Sequence, residues 1–133
     1  MMMKLDKFTR SYIETALWSS TFPEEGDDGR WRDIPMDRDF DVSDVHPETL
    51  AKMVKECRDF QDDAVFCDAM DDGAIGSLET AGHDFWLTRN HHGAGFWDGD
   101  YPAPWDRKLT ALSHSFGEVS LYLGDENPAV RQY

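Results

Sequence analysis

Positive charge is scarce in this sequence: 13 Lys and Arg stand against 27 Asp and Glu, for a formal net charge of -14. Phosphate contacts are made by Lys and Arg, so direct binding to a nucleic-acid backbone is not expected. No stretch approaches the roughly 18 apolar residues that cross a bilayer. The start, Met1-Met2-Met3-Lys4, leads into amphipathic sequence without an apolar h-region or cleavage site. Neither a membrane span nor a secretory signal is expected, and the chain reads as cytoplasmic. Two cysteines, Cys57 and Cys67, make no disulfide framework and lack zinc-motif spacing. His46, His83, His91, His92 and His114 are scattered. There is no Walker-type phosphate loop and no Gly-x-Ser-x-Gly elbow, so no cofactor is expected.

Aromatic residues, by contrast, are plentiful. They make up 13% of the 133 residues, with 5 Trp and 8 Phe, enough for the hydrophobic core of one domain. Leu5, Phe8, Tyr12, Ala16 and Leu17 draw one apolar stripe, predicting a helix over 5–19 that stops at Ser19-Ser20-Thr21. From about 22 to 45 the chain is acidic and broken by Gly26, Gly29 and Pro35. It reads as a long surface loop, pinned to the body by Trp31, Ile34 and Phe40.

Pro47 suits a first helical position, and Val45 and Leu50 are spaced as a hydrophobic staple. Leu50, Met53, Val54, Cys57, Phe60, Ala64 and Cys67 extend that helix to about 69. Both cysteines then lie on its buried stripe, roughly 15 Å apart.

Beyond Asp71-Asp72-Gly73, the segments 83–89 and 94–98 read as two strands of a hairpin over 83–98, around Asn90-His91-His92-Gly93. A short helix over Leu109, Leu112 and Phe116, a strand at 118–123 and a loose tail at 126–133 complete the chain. The expected fold is a single α+β domain: an antiparallel sheet of about three strands covered by two longer helices and one short one.

The stretch from His83 to Trp105 holds the densest chemistry. His83, Asp84, Arg89 and His92 offer a proton shuttle, an orienting carboxylate and an anion anchor, the parts of a small enzyme or ligand site. Neighbours on a strand face opposite ways, so His83 and Asp84 share one site only if the strand bends. The alternative is structural: the aromatics form the core and the polar groups close turns.

Glu14-Thr15-Ala16-Leu17-Trp18-Ser19-Ser20, the run from His83 to Asp98, and Leu121-Tyr122-Leu123-Gly124-Asp125 resemble segments of small acidic proteins of tailed bacteriophages and prophages. The resemblance implies a phage setting rather than a mechanism. Its relatives read Asn-Gly-His-Gly at the turn. Here His91 stands where a glycine would ease a positive φ, so a wider loop is expected.

Between Asp59 and Thr88 lie Asp59, Asp62, Asp63, Asp68, Asp71, Asp72, Glu79 and Asp84, with no Lys or Arg. Together with Glu24, Glu25, Asp27 and Asp28, these acids other than Asp84 form the expected partner-binding surface. It suits a host protein with a basic or nucleic-acid-binding groove, approached by imitation of the DNA phosphate track. Residues 68–79 also approximate a calcium loop, with Asp68, Asp72 and Glu79 at ligand positions. Met70 fills a position that needs oxygen, so no metal is expected. The leading expectation is a phage accessory protein that inhibits or redirects a host protein and is not an enzyme. The small enzyme is the first alternative, and a virion or scaffold component, with homo-oligomerisation, the second.

Overall fold

A computed structural model describes residues 4–124 and 130–132 and resolves, among them, five α-helices and two strand pairs, an α+β arrangement. Helix α1 (Lys7–Ser19) starts where the Asp6 carboxylate accepts from the Thr9 N–H at 2.7 Å, and it buries Phe8, Tyr12, Ile13, Ala16 and Leu17.

The expected loop over 22–45 contains a hairpin. Strand β1 (Thr21–Glu25) pairs antiparallel with β2 (Trp31–Pro35), Thr21 facing Pro35 and Glu25 facing Trp31. Gly26 N–H donates to the Arg30 carbonyl at 2.8 Å, and Gly29 turns the chain at φ 78°. A two-stranded ribbon has only edges, so Pro23 costs it little. Ile34 and Phe40 are half-buried as expected, whereas Trp31 is 67% exposed and pins nothing; Met36, just past β2, is buried instead.

Helix α2 (Pro47–Asp62) begins with proline at its first position, and His46 Nδ1 accepts from the Glu48 N–H at 3.2 Å. It does not run to 69. Asp63 is extended (φ -67°, ψ 143°) and caps a separate helix, α3 (Ala64–Asp71), by accepting from the Val65 N–H at 2.9 Å. The break separates the cysteines, leaving Cys57 buried and Cys67 exposed.

The hairpin expected over 83–98 is absent. Residues 78–89 form a helix, α4 (Leu78–Arg89), capped by the Ser77 hydroxyl, which accepts from the Thr80 N–H. The chain from Asn90 to Pro104 is irregular, so there is no hairpin here. Ala81, Gly82 and Asp84 to Arg89 are all buried, so the helix is wrapped on nearly every side and shows no polar stripe. Its closest neighbour is α1. A Cβ on Gly82 would run into the Phe8 carbonyl, so glycine is what lets the two backbones approach.

The α4 C-terminus is a Schellman cap, with His91 N–H donating to Thr88 O and His92 N–H to Leu87 O. His91 adopts the left-handed conformation at φ 56°, the position where the sequence reading wanted a glycine.

Helix α5 (Trp105–Ser115) starts earlier than expected, anchored by the Trp105 indole N–H donating to Asp72 at 2.7 Å. Strand β3 (Leu121–Leu123) is shorter than expected and pairs antiparallel with β4 (Val130–Gln132). Part of the expected loose tail is therefore paired, while 126–129 and 133 lie outside the described residues. The strands form two separate pairs rather than one three-stranded sheet. The core is aromatic, centred on Phe60 and Phe85, whose rings stack at 4.2 Å, with Phe8, Phe66, Phe96 and Phe116 around them.

Candidate functional sites

Helix α4 places His83 and Asp84 together after all. On a helix adjacent side chains diverge by about 100° rather than facing opposite ways, and His83 Nδ1 lies 3.1 Å from Asp84 Oδ1. The Tyr101 hydroxyl donates to the other carboxylate oxygen at 2.8 Å. Burial pushes the Asp84 carboxyl up, against the lowering effect of these two partners, and burial raises the Tyr101 phenol as well. The imidazole, half exposed, stacks on Trp18 at 5.8 Å. Paired through Nδ1, it leaves only Nε2 for other partners.

The other two residues of the expected catalytic set do not join them. Arg89 is 1% exposed, and every contact it makes is internal. It donates to Tyr12 at 2.9 Å, Glu56 at 3.0 Å, and the carbonyls of Phe116 and Gly117 at 2.8 Å each. Its guanidinium also lies over the rings of Phe85 and Phe116. Burial works against its charge, but Tyr12 and Glu56 outweigh it and its pKa is raised. Arg89 is a structural clamp, closed to any anionic substrate. His92 is exposed and lines a separate small hollow with Ser20, Asn90 and Glu118.

The expected acidic surface divides by what each carboxylate is doing. On the hairpin, Glu24 makes a two-bond fork with Arg38, which holds its pKa below the usual carboxylate range, and Asp28 pairs with Arg32 at 2.9 Å. Asp59 pairs with Lys55, and Glu79 lies 3.9 Å from Lys7. Asp63 and Asp72 are committed to the α3 cap and to Trp105. Among the described residues, the side chains of Glu25, Asp27, Asp62, Asp68 and Asp71 make no ion pair or hydrogen bond.

Helix α3 organises part of that free charge. It turns Phe66 and Ala69 into the core and Cys67, Asp68, Met70 and Asp71 outward. Asp68 and Asp71 are three residues apart and share one face. Met70 beside them is 43% exposed.

The calcium-like arrangement does not converge. Asp68 lies on α3, Asp72 is bound to an indole, and Glu79 is in the first turn of α4. Among the described residues, no group of three or more His, Cys, Asp or Glu is placed to hold a metal ion.

A cleft of about 830 Å³ opens between α1, the 36–45 segment and the start of α2. Its apolar surface comes from Leu17, Phe40, Val42, Val45 and Leu50, with Trp18 at its edge and Arg10, Glu14, Asp37 and Asp41 as its charged groups. The Val45–Leu50 staple spacing was the only trace of it in the sequence.

No protein-family model, no curated protein and no solved structure matches this chain. Among the described residues, no helix is long and apolar enough to cross a membrane.

Proposed function

We propose that the protein is a binding protein whose contact surface is the outer face of α3, and that its partner is a protein with a basic surface. The observation that carries this reading is the state of the carboxylates. The hairpin acids are partly neutralised by Arg32 and Arg38, whereas Asp68 and Asp71 stand side by side without a cation, and exposed Met70 lies between them in sequence. No Lys or Arg occurs in the sequence between Asp59 and Thr88, so α3 itself contributes only negative charge to that face. An unpaired carboxylate pair beside a flexible apolar side chain suits a partner offering Lys or Arg around an apolar spot.

In the setting that the sequence resemblance implies, that partner is a host protein of an infected bacterium, and a nucleic-acid-binding groove is the kind of basic surface it would occupy. The enzyme reading lacks support of this kind. Arg89 is sealed inside, and His83 does not line the cleft.

The test is capture from bacterial lysate by the native chain, by Asp68→Lys/Asp71→Lys, and by Glu25→Lys/Asp27→Lys. The captured protein should be a basic one released by salt and by duplex DNA, and it should be lost with the α3 variant alone. Equal capture by the α3 variant, or loss only with the hairpin variant, contradicts the assignment.

A further inference from the structure

The cleft beside α1 points to a second, small-molecule site. We propose that it binds an amphipathic amine, an ammonium group carried on an apolar body. Its volume of about 830 Å³ lies within the range of roughly 300–1,000 Å³ common to small-molecule sites. The base is apolar: Leu17 and Val45 are buried beneath it, and Phe40, Val42 and Leu50 are half-buried with surface toward it. Hydrocarbon placed there leaves water, which favours an apolar body of matching size.

The charge of the lining selects the head group. Glu14, Asp37 and Asp41 face a single cation, Arg10. The Ser43 hydroxyl and N–H both donate to the Asp41 carboxylate and lower its pKa, favouring the ionised form. Among the described residues, the side chains of Glu14, Asp37 and Arg10 make no ion pair or hydrogen bond, although Arg10 and Glu14 lie one helical turn apart. Two unpartnered carboxylates beside an apolar wall concentrate a negative potential there. An ammonium group satisfies them, whereas a carboxylate head would meet repulsion from three acids. Trp18, 46% exposed and stacked on His83, adds an indole to the lining, and an aromatic ring left open to the cleft attracts cations.

This inference does not rest on the α3 reading, since none of the cleft's residues belongs to α3. The probe is octylammonium, with octanol and octanoate of equal chain length as controls, titrated against the full ¹⁵N-labelled chain by NMR. Saturable shifts are expected at the Trp18 indole, Val42, Val45 and Leu50, with octylammonium binding more tightly than octanol and octanoate weakest. Glu14→Gln with Asp37→Asn should weaken octylammonium roughly fivefold, the scale of two exposed ion pairs, and Arg10→Gln should strengthen it by roughly twofold. All three positions are exposed, so the fold should survive these changes. Octanoate binding as tightly as octylammonium, affinity indifferent to the double variant, or no saturable shift at the cleft, as for a groove shaped to a protein segment, would each overturn the proposal.

Discussion

The Arg89 guanidinium donates to the Tyr12 hydroxyl at 2.9 Å across 77 residues of sequence, joining the end of α4 to the middle of α1 inside the core. The same side chain reaches Glu56 on α2 and the two carbonyls that follow α5. One cation thus ties together four parts of the chain. Removing it should destabilise the fold by about 3–5 kcal/mol, because a buried ion pair is broken and the Tyr12 hydroxyl and the carbonyls of Phe116 and Gly117 lose a charged donor in a low-dielectric setting. Arg89→Lys should recover little of that loss, since an ammonium cannot reproduce the planar fork. Urea unfolding of Arg89→Ala and Arg89→Lys measures both. A native-like midpoint for either variant would contradict the clamp.

Asp84 gives the fold a predictable response to pH. Burial lifts its carboxyl above the ordinary value of 3.8, so the folded chain holds this proton to a higher pH than the unfolded chain does. Its contribution to stability is complete below the unfolded value and is lost as pH rises through the folded one. Asp84→Asn keeps an acceptor for Tyr101 and removes the ionisation, so the variant should gain on the native chain as pH rises from about 4 toward neutrality. Asp84→Ala deprives both Tyr101 and His83 of a partner and should cost about 1–3 kcal/mol. Thermal melts across the acid range read the difference, and parallel curves for the native chain and Asp84→Asn would refute it.

Gly82 tests the packing of α4 on α1. Gly82→Ala improves helix propensity by about 1 kcal/mol, yet its methyl would collide with backbone, the Phe8 carbonyl, rather than with a yielding side chain. The collision should outweigh the propensity gain and leave a net loss of about 1–3 kcal/mol by denaturant unfolding. A stabilised variant would mean that the helices stand further apart.

The two cysteines should behave differently toward a thiol reagent. Cys67 is exposed on α3, whereas Cys57 is buried on α2 and burial pushes its thiol well up. One equivalent of thiol should react promptly in the native protein and the second only on unfolding. Two fast thiols would place the α2 stripe at the surface.

The fold was legible where one face of an element is buried and the other wet. Phe8, Tyr12, Ala16 and Leu17 mark α1 by spacing alone, and Pro47 marks the start of α2. It was illegible at α4, where burial on nearly every side erases the 3.6-residue alternation and leaves a run of aromatics that looks like strand. Ser77 followed by Leu78 and Glu79 was the available helix signal, overshadowed by Gly76 and Gly82.

The hairpin over 21–35 was hidden by its glycines and by Pro23, which also disguised the spacing of Phe22 and Ile34. Of the expected catalytic residues, the chain brings His83 and Asp84 into contact, because a helix places neighbours differently from a strand. Which acids stay free was beyond composition. It depends on Arg38 reaching Glu24 from 14 residues away and on Trp105 reaching Asp72 from 33 away.

The most direct test of the α3 assignment is the affinity of the captured partner for the native chain and for Asp68→Lys/Asp71→Lys, measured over a range of salt concentrations. The account predicts steep weakening with salt for the native chain, and for the variant much lower affinity with a shallow slope, because the screened charges have been reversed. The same affinity and the same salt slope for both proteins would contradict it.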